Sequence, residues 1–108
     1  MTSREDRIVS NELLFREVNE HVNELARRVS ILSTLDYACE CGRPGCAERT
    51  SLTHGEYEQV RSDAQRFLTL PGHETPSLER AVERYESYQV VEKTEQVAAE
   101  RAEQTDPR

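Results

Sequence analysis

Apolar side chains recur at intervals of seven in the first third of the chain, which contains no glycine or proline before Gly42. Two interleaved series carry this pattern, one made of Ile8, Phe15, Val22 and Val29 and the other of Val18, Leu25 and Leu32, with Asn11 as the one polar position of the second series. The spacing predicts an amphipathic helix from about Arg4 to about Ser30, within a helical segment 1–34. On its opposite face we expect a solvated surface formed by Glu12, Arg16, Glu20, Glu24 and Arg27.

This helix would be longer than the average of ~11–12 residues, and two interpretations of it are open. The helix folds back on its own domain, which the small number of uninterrupted heptads favours. Alternatively, it pairs with a second copy or with another protein through the heptad seam. The predicted interface residues are then Ile8, Phe15, Val18, Val22, Leu25 and Val29. In that arrangement Asn11 would lie in the seam and fix its register.

A short strand is predicted at residues 35–41, where Leu35, Tyr37, Cys39 and Cys41 alternate with polar or small residues. Gly42, Pro44 and Gly45 follow and indicate a tight loop. Residues 48–52 would return as a second strand. The segment is therefore expected to form a hairpin with its cysteines at the tip.

The next segment carries the signals of a helix and then of a strand. Thr53 and Glu56 have the spacing of a capping box, which predicts a second helix within 53–67. Residues 67–70 then form a short apolar stretch that ends at the Pro71-Gly72 turn, so we expect a strand there.

The last third of the chain favours a hairpin followed by an unstructured end. Apolar residues at 81–82 and in 88–91 are separated by polar turn residues. A helix is possible here on propensity alone, but the second stretch is rich in β-formers and favours a hairpin. From 94 to 108 there is little to bury, which predicts a frayed helix or a disordered, flexible tail. The predicted fold class is α+β, with the long helix preceding a small domain at 35–93 that contains a small antiparallel sheet.

Composition and charge narrow the classes of partner. The chain of 108 residues is near the common size of one domain, and only 35% of it is hydrophobic. The net charge of −7, with no run of Lys or Arg, argues against nucleic acid, since phosphate binding needs a basic face. No signal peptide and no apolar stretch of ~20 residues is visible. We therefore expect a cytoplasmic protein that contacts no membrane.

The three cysteines, Cys39, Cys41 and Cys46, all lie in the segment CECGRPGC. In a reducing compartment such a cluster indicates metal ligands rather than a disulfide. Cys39 and Cys41 would face the same side of a strand, and the loop glycines would let Cys46 return to them. Thiolate and imidazole ligands suit tetrahedral Zn²⁺, so we predict a zinc site. The spacing leaves the fourth ligand open between His54, His73 and an external group.

Other interpretations of the cysteine cluster are weaker. An iron–sulfur cluster with three cysteines and one histidine uses the same residues. Thiols buried as small hydrophobic side chains are disfavoured, because the segment is polar and rich in turn residues. A redox dithiol of the thioredoxin type is disfavoured as well, since the spacing is C-x-C and not C-x-x-C.

Several segments also carry a resemblance: FREVNE, CECGRPGC, THGEY, PGHE and VVEK, in that order. With these segments the chain, from about Phe15 to Arg108, resembles a family of small uncharacterised actinobacterial proteins. The histidine of P-G-H-E belongs to that family's pattern whereas the position of His54 varies, so the resemblance implies His73 as the fourth ligand. The C-x-C-x₄-C spacing is also similar to the post-SET zinc motif, and this likeness implies no methyltransferase activity.

Together these patterns predict a small protein with a structural zinc site that acts as a protein-interaction or regulatory module. A thiol-based redox sensor that uses the same zinc-thiolate cluster is the alternative. A metalloenzyme is disfavoured, because three thiolates make zinc a poor Lewis acid and no catalytic set of residues accompanies it. We assign no catalytic residue.

Overall fold

Residues 1–108 are described by a computed structural model as three helices and five strands. In chain order the elements are α1 (Ser3–Ala26), β1 (Thr34–Ala38), β2 (Arg49–Thr53), α2 (His54–Val60), β3 (Arg66–Thr69), β4 (Glu79–Arg84), β5 (Gln89–Lys93) and α3 (Gln96–Gln104). The strands form two antiparallel sheets, one of β1 and β2 and one in the order β3-β5-β4. The predicted α+β class is confirmed, including the long first helix and both hairpins. None of the three helices has the length and apolar character needed to cross a bilayer.

The second helix begins where the capping box predicts. The Thr53 amide donates to the Glu56 carboxylate at 2.8 Å, and the Glu56 amide donates to the Thr53 hydroxyl at 3.2 Å. The helix ends at Val60, well before the expected limit at residue 67. A turn follows instead, in which Asp63 accepts a hydrogen bond from the Gln65 amide and leads the chain into β3.

The main core lies between the β1–β2 hairpin, α2 and the larger sheet. In the hairpin Leu35 pairs with Leu52, and Tyr37 pairs with Thr50. Tyr37 stacks on Tyr57 of α2 with ring centroids 4.7 Å apart. The buried members of this core are Ala26, Tyr37, Leu52, Tyr57, Val60, Leu68, Tyr88 and Val90.

The face of α1 that packs against the domain is largely polar, which is the reverse of the sequence prediction. Its buried residues are Ile8, Val9, Glu12, Arg16, Asn19, Asn23 and Ala26. Glu12 and Arg16 were expected in solvent, yet they are 0% and 1% exposed, whereas Leu14 and Leu25 are both 59% exposed. The expectation of a solvated surface is therefore wrong for Glu12 and Arg16. Much of the apolar stripe faces outward instead.

Partners from distant parts of the chain offset the buried charges of α1. Lys93 on β5 lies 2.7 Å from the Glu12 carboxylate and also pairs with Glu79 on β4. Its ammonium group sits 4.6 Å above the ring centre of Phe67, and the Arg16 guanidinium lies 5.0 Å from the same ring centre. Burial raises the pKa of Glu12, and Lys93 partly offsets that rise. The paired charges make burial of a polar helix face tolerable.

The predicted interface residues are divided between two sides of the chain. Ile8 is buried in a small cluster of apolar side chains, and Val22 packs against the main core, so neither is free to meet a partner. Phe15 is half-buried, while Val18 and Val29 are exposed. In addition, α1 ends at Ala26 rather than near residue 30, and Val29 lies in the turn that follows. A straight heptad seam through all six residues is therefore not present.

The segment after Thr94 differs from the expected frayed or disordered tail, because it forms α3 and packs on the domain. Ala98 and Ala102 are both 0% exposed. Ala98 contributes to the cluster around Ile8, and Ala102 packs with Phe67 of β3. The sequence did not indicate this packing, because alanine contributes little apolar surface. The small alanine side chains nevertheless allow α3 to approach the domain closely.

Candidate metal centre

The cysteines lie at the tip of the β1–β2 hairpin, as the alternation of residues predicted. Just beyond the ends of the strands, the Cys39 amide still donates across the hairpin to the Glu48 carbonyl at 2.9 Å. Cys39 and Cys41 are buried, at 2% and 0% exposure, and Cys46 is half-buried. The sulfurs of the C-x-C pair are thus held in the interior while the third reaches the edge of the site.

Cys46 and His73 each follow a Pro-Gly turn of the same kind. The Cys46 amide donates to the Arg43 carbonyl, and the His73 amide donates to the Leu70 carbonyl, both at 3.1 Å. The glycine of each turn has a positive φ, +80° in the first and +81° in the second. Proline followed by a left-handed glycine is the pattern of a type II turn. Two similar turns therefore direct the residue after each glycine toward one point.

Four side chains of metal-binding type converge at this point. The sulfurs of Cys39, Cys41 and Cys46 and a ring nitrogen of His73 all lie within 4.8 Å of one another. His73 Nδ1 is 3.7 Å from the Cys39 sulfur and 3.7 Å from the Cys46 sulfur. The cluster can hold a metal ion.

Comparisons with known proteins find no relative of this chain. No family model, curated protein or solved structure matches the chain. The resemblance to an actinobacterial family therefore stays a prediction. The functional assignment depends instead on the donor atoms and their surroundings.

Of the two histidines that the spacing left open, the structure brings His73 to the sulfurs. His54 begins α2 and faces α1 and its own helix instead. Its Nδ1 lies 3.0 Å from the Asn23 side-chain oxygen, and its Nε2 lies 3.5 Å from the Glu58 carboxylate. These contacts engage both ring nitrogens of His54 away from the cysteines.

Glu40, which separates the first two cysteines, fixes their backbone to the rest of the fold. Its carboxylate accepts hydrogen bonds from the Leu68 amide at 2.9 Å, the Tyr57 hydroxyl at 2.7 Å and the Asn19 amide group at 2.8 Å. Burial raises the pKa of Glu40, and these three donors oppose that rise by favouring the carboxylate. Sequence reasoning missed Glu40 and Asn19, because polar residues are assigned to solvent by default.

The long helix is bonded to the hairpin on both sides of the cysteine pair. Asn19 donates to the Ala38 carbonyl and accepts from the Ala38 amide, both at 2.8 Å, and Asn11 donates to the Gly42 carbonyl at 3.1 Å. Gly42 has a φ of +68° and packs so closely that a β-carbon there would lie 2.2 Å from the Ile8 carbonyl oxygen. Asn11 is therefore turned toward the loop rather than lying in an intermolecular seam.

Hydrogen bonds among the thiols prepare the site for a cation. The hydrogen bond from Cys39 lowers the pKa of Cys41 to about 5, and the same bond raises the pKa of Cys39. Burial raises the pKa of Cys46. The Leu70 amide also donates to the Cys39 sulfur at 3.2 Å. The hydrogen bond between Cys39 and Cys41 thus favours one thiolate within this buried pair.

Proposed function

We propose that Cys39, Cys41, Cys46 and His73 bind one structural Zn²⁺ ion. The observation that carries this proposal is the convergence of their four ligand atoms within 4.8 Å. Tetrahedral zinc, with Zn–S bonds of ~2.3 Å and Zn–N bonds of ~2.0–2.1 Å, sets sulfur and nitrogen ~3.6 Å apart. The 3.7 Å separations from the His73 nitrogen to two of the sulfurs agree with this value.

Such an ion would crosslink two parts of the fold. Three ligands come from the β1–β2 hairpin and the fourth from the turn after β3, and one backbone hydrogen bond, from Glu40 to Leu68, joins that hairpin to the larger sheet. Structural zinc supplies an apparent ~10–16 kcal/mol, which is comparable to the whole net stability of ~5–15 kcal/mol of a typical domain. The metal is therefore expected to reinforce the docking of the hairpin, in addition to the core contacts and the hydrogen bond from the Leu68 amide to the Glu40 carboxylate.

A structural role is favoured over a catalytic one by the ligand set. A catalytic zinc ion keeps one position open for water, whereas here the chain offers four ligands. Two of the sulfurs are almost fully buried, and three thiolates leave the metal weakly electrophilic.

The test is elemental analysis of the purified protein combined with two histidine variants. We expect about one zinc per chain, with iron absent. His73→Ala should weaken zinc binding by more than about a hundredfold, since losing a ligand exceeds the 10–100-fold cost of losing an outer contact. His54→Ala is the matched control and should retain the metal. A folded protein without zinc, or a larger loss for His54→Ala than for His73→Ala, would contradict the proposal.

We further propose that this zinc-stabilised domain is an interaction module. The support is the outward face of α1 and the turn after it, where six aliphatic side chains are exposed by 43–85%: Leu14, Val18, Leu25, Val29, Ile31 and Leu32. Contiguous exposed apolar surface of more than a few hundred Å² marks interaction sites on soluble proteins.

A further inference from the structure

We propose that Cys46 is the site at which an organic hydroperoxide oxidises this protein, and that the oxidised Cys46 then forms a disulfide with Cys39. The inference rests on the proposed zinc site, because it describes how that site would lose its metal. The oxidant would reach the sulfur through an apolar cleft between α1 and the β1–β2 hairpin.

The cleft lies directly beside the cysteine cluster and has a volume of about 230 Å³. A water molecule takes up ~30 Å³ of liquid, so the cleft has room for a much larger group. Two charged residues, at the start of β2 and just before it, form part of its lining. The rest of the lining is apolar and consists of Phe15, Val18, Ala38, Cys39, Cys46 and Ala47. An oxidant with an apolar substituent therefore fits the cleft better than a wholly polar one.

Two of the three cysteines line this cleft. Cys39 and Cys46 belong to the lining, whereas Cys41 does not. Cys46 is half-buried, while Cys39 and Cys41 are 2% and 0% exposed. All three are thiolates when they bind zinc, so exposure is what distinguishes them. Since oxidation selects exposed thiolates, the first attack falls on Cys46.

The chemistry is a two-electron oxidation in two steps. The Cys46 thiolate attacks the terminal oxygen of the hydroperoxide, the O–O bond breaks, and the alkoxide takes a proton from water and leaves as an alcohol. Cys46 is then a sulfenic acid. The Cys39 thiolate attacks the Cys46 sulfur, the S–S bond forms as the S–O bond breaks, and the departing hydroxide takes a proton to become water. Two thiolates, one hydroperoxide and two protons thus give a disulfide, an alcohol and water.

The hairpin brings the two sulfurs close enough for the second step. They lie within 4.8 Å of each other, and a disulfide needs ~2.05 Å. The Cys39 amide donates to the Glu48 carbonyl at 2.9 Å, which fixes Cys39 across the hairpin from the segment that carries Cys46. Cys46 has space to close the remaining gap, because it follows Gly45, where an added β-carbon would meet nothing within 4 Å.

The disulfide would take two of the four ligands from the metal. Cys41 and His73 would remain, and two ligands do not complete the tetrahedral set of a structural zinc ion. The ion would then leave, and with it the link between the hairpin and the turn after β3. A dithiol reductant would reverse the change by thiol–disulfide exchange.

The first experiment compares two oxidants on the zinc-loaded chain. An indicator dye follows zinc release after addition of cumene hydroperoxide or hydrogen peroxide, and each rate is divided by the rate of the same oxidant with glutathione. Removal of ~55 Å² of apolar surface from water corresponds to about tenfold in rate. We therefore expect the corrected rate for cumene hydroperoxide to be higher by at least about tenfold. Equal corrected rates, or a higher one for hydrogen peroxide, would overturn the role of the cleft.

A pair of tryptophan variants tests the route to the sulfur. Val18→Trp puts a larger side chain into the cleft, and Leu14→Trp is the matched control, at an exposed position of α1 outside the cleft. Val18→Trp should slow zinc release by cumene hydroperoxide about tenfold and change release by hydrogen peroxide by less than about threefold. Leu14→Trp should change neither rate. An unchanged rate for Val18→Trp with cumene hydroperoxide would exclude this route.

Analysis of the product tests the choice of cysteines. After reaction with the hydroperoxide, alkylation and fragment-ion mass spectrometry should find Cys41 as the free thiol and a disulfide between Cys39 and Cys46. Dithiothreitol with added zinc should then restore the metal content. A disulfide between Cys41 and Cys46 would refute the role of Cys39, and sulfinic acid at Cys46 without a disulfide would refute the second step.

Zinc content measured before the oxidant is added separates this inference from the proposed metal site. A chain that holds no zinc but forms the disulfide between Cys39 and Cys46 would contradict only the metal site. A zinc-loaded chain that keeps its three thiols and its metal in the presence of cumene hydroperoxide would contradict only the oxidation.

Discussion

Gly42 and Gly45 allow the same substitution to be made twice in one loop, in different surroundings. Both glycines have a positive φ, +68° and +80°, so alanine costs ~1–2 kcal/mol at either position for its backbone conformation alone. At Gly45 an added β-carbon would meet nothing within 4 Å. At Gly42 it would lie 2.2 Å from the Ile8 carbonyl oxygen and 2.7 Å from the Glu12 side chain. The difference between the variants therefore isolates the contact between α1 and the cysteine loop.

The size of that difference follows from the distances. A carbon and a carbonyl oxygen approach no closer than ~3.3 Å without strain, so α1 and the loop must separate by about 1 Å in Gly42→Ala. Overpacking of this kind costs ~1–3 kcal/mol, and the hydrogen bond from Asn11 to the Gly42 carbonyl, worth ~1 kcal/mol, would be stretched as well. We expect Gly42→Ala to lose about 3–5 kcal/mol of unfolding free energy and Gly45→Ala about 1–2 kcal/mol.

Denaturant unfolding of the two zinc-loaded variants beside the wild type gives both numbers, provided that the denaturant dependence of the unfolding free energy stays constant. Gly42→Ala should also bind zinc more weakly, because Gly42 follows Cys41 directly. Equal losses at the two glycines would refute the reasoning. They would mean that backbone conformation accounts for the whole cost and that α1 does not rest on the loop.

Two further predictions concern the surroundings of the cysteines. Glu40→Gln should weaken zinc binding by about 10–100-fold in chelator competition, since either orientation of the new amide sets a donor against a donor. Glu79→Gln is the matched control, because Glu79 is a buried carboxylate away from the sulfurs. Equal losses of zinc affinity in both variants would mean that Glu40 only stabilises the fold and has no specific effect on the metal site. Zinc affinity should also fall as pH falls, by roughly a hundredfold per pH unit near neutrality, because Cys39 and Cys46, whose pKa values are raised, must each release a proton on binding. Competition at several pH values measures this slope, and a flat profile would contradict thiolate ligation.

The features that sequence patterns predicted are those with short-range causes. The capping box of Thr53 and Glu56 lies within four residues, and α2 begins there. The Pro71-Gly72 turn and the hairpin of β4 and β5 likewise depend on neighbouring residues. The cysteine cluster also belongs to this class, because Cys39, Cys41 and Cys46 are joined by one loop.

The features that were missed depend on partners far away in the chain. Glu12 is buried because Lys93 meets it, and Arg16 is buried because it can donate to the Ala102 carbonyl at 3.0 Å. No local pattern connects these residues, so the polar face of α1 was expected in solvent. The choice of His73 over His54 also depends on distant parts of the chain, since the spacing of residues does not show that β3 runs beside the hairpin.

The polar face of α1 suggests why the helix and the metal site belong together. Apolar contact alone tolerates sliding of a helix along a surface, whereas hydrogen bonds hold only at one position. Asn19 bonds to Ala38 and to Glu40, and Asn11 bonds to Gly42, so the register of α1 is defined by the backbone that also carries Cys39 and Cys41. An ion that fixes those sulfurs would fix the same backbone.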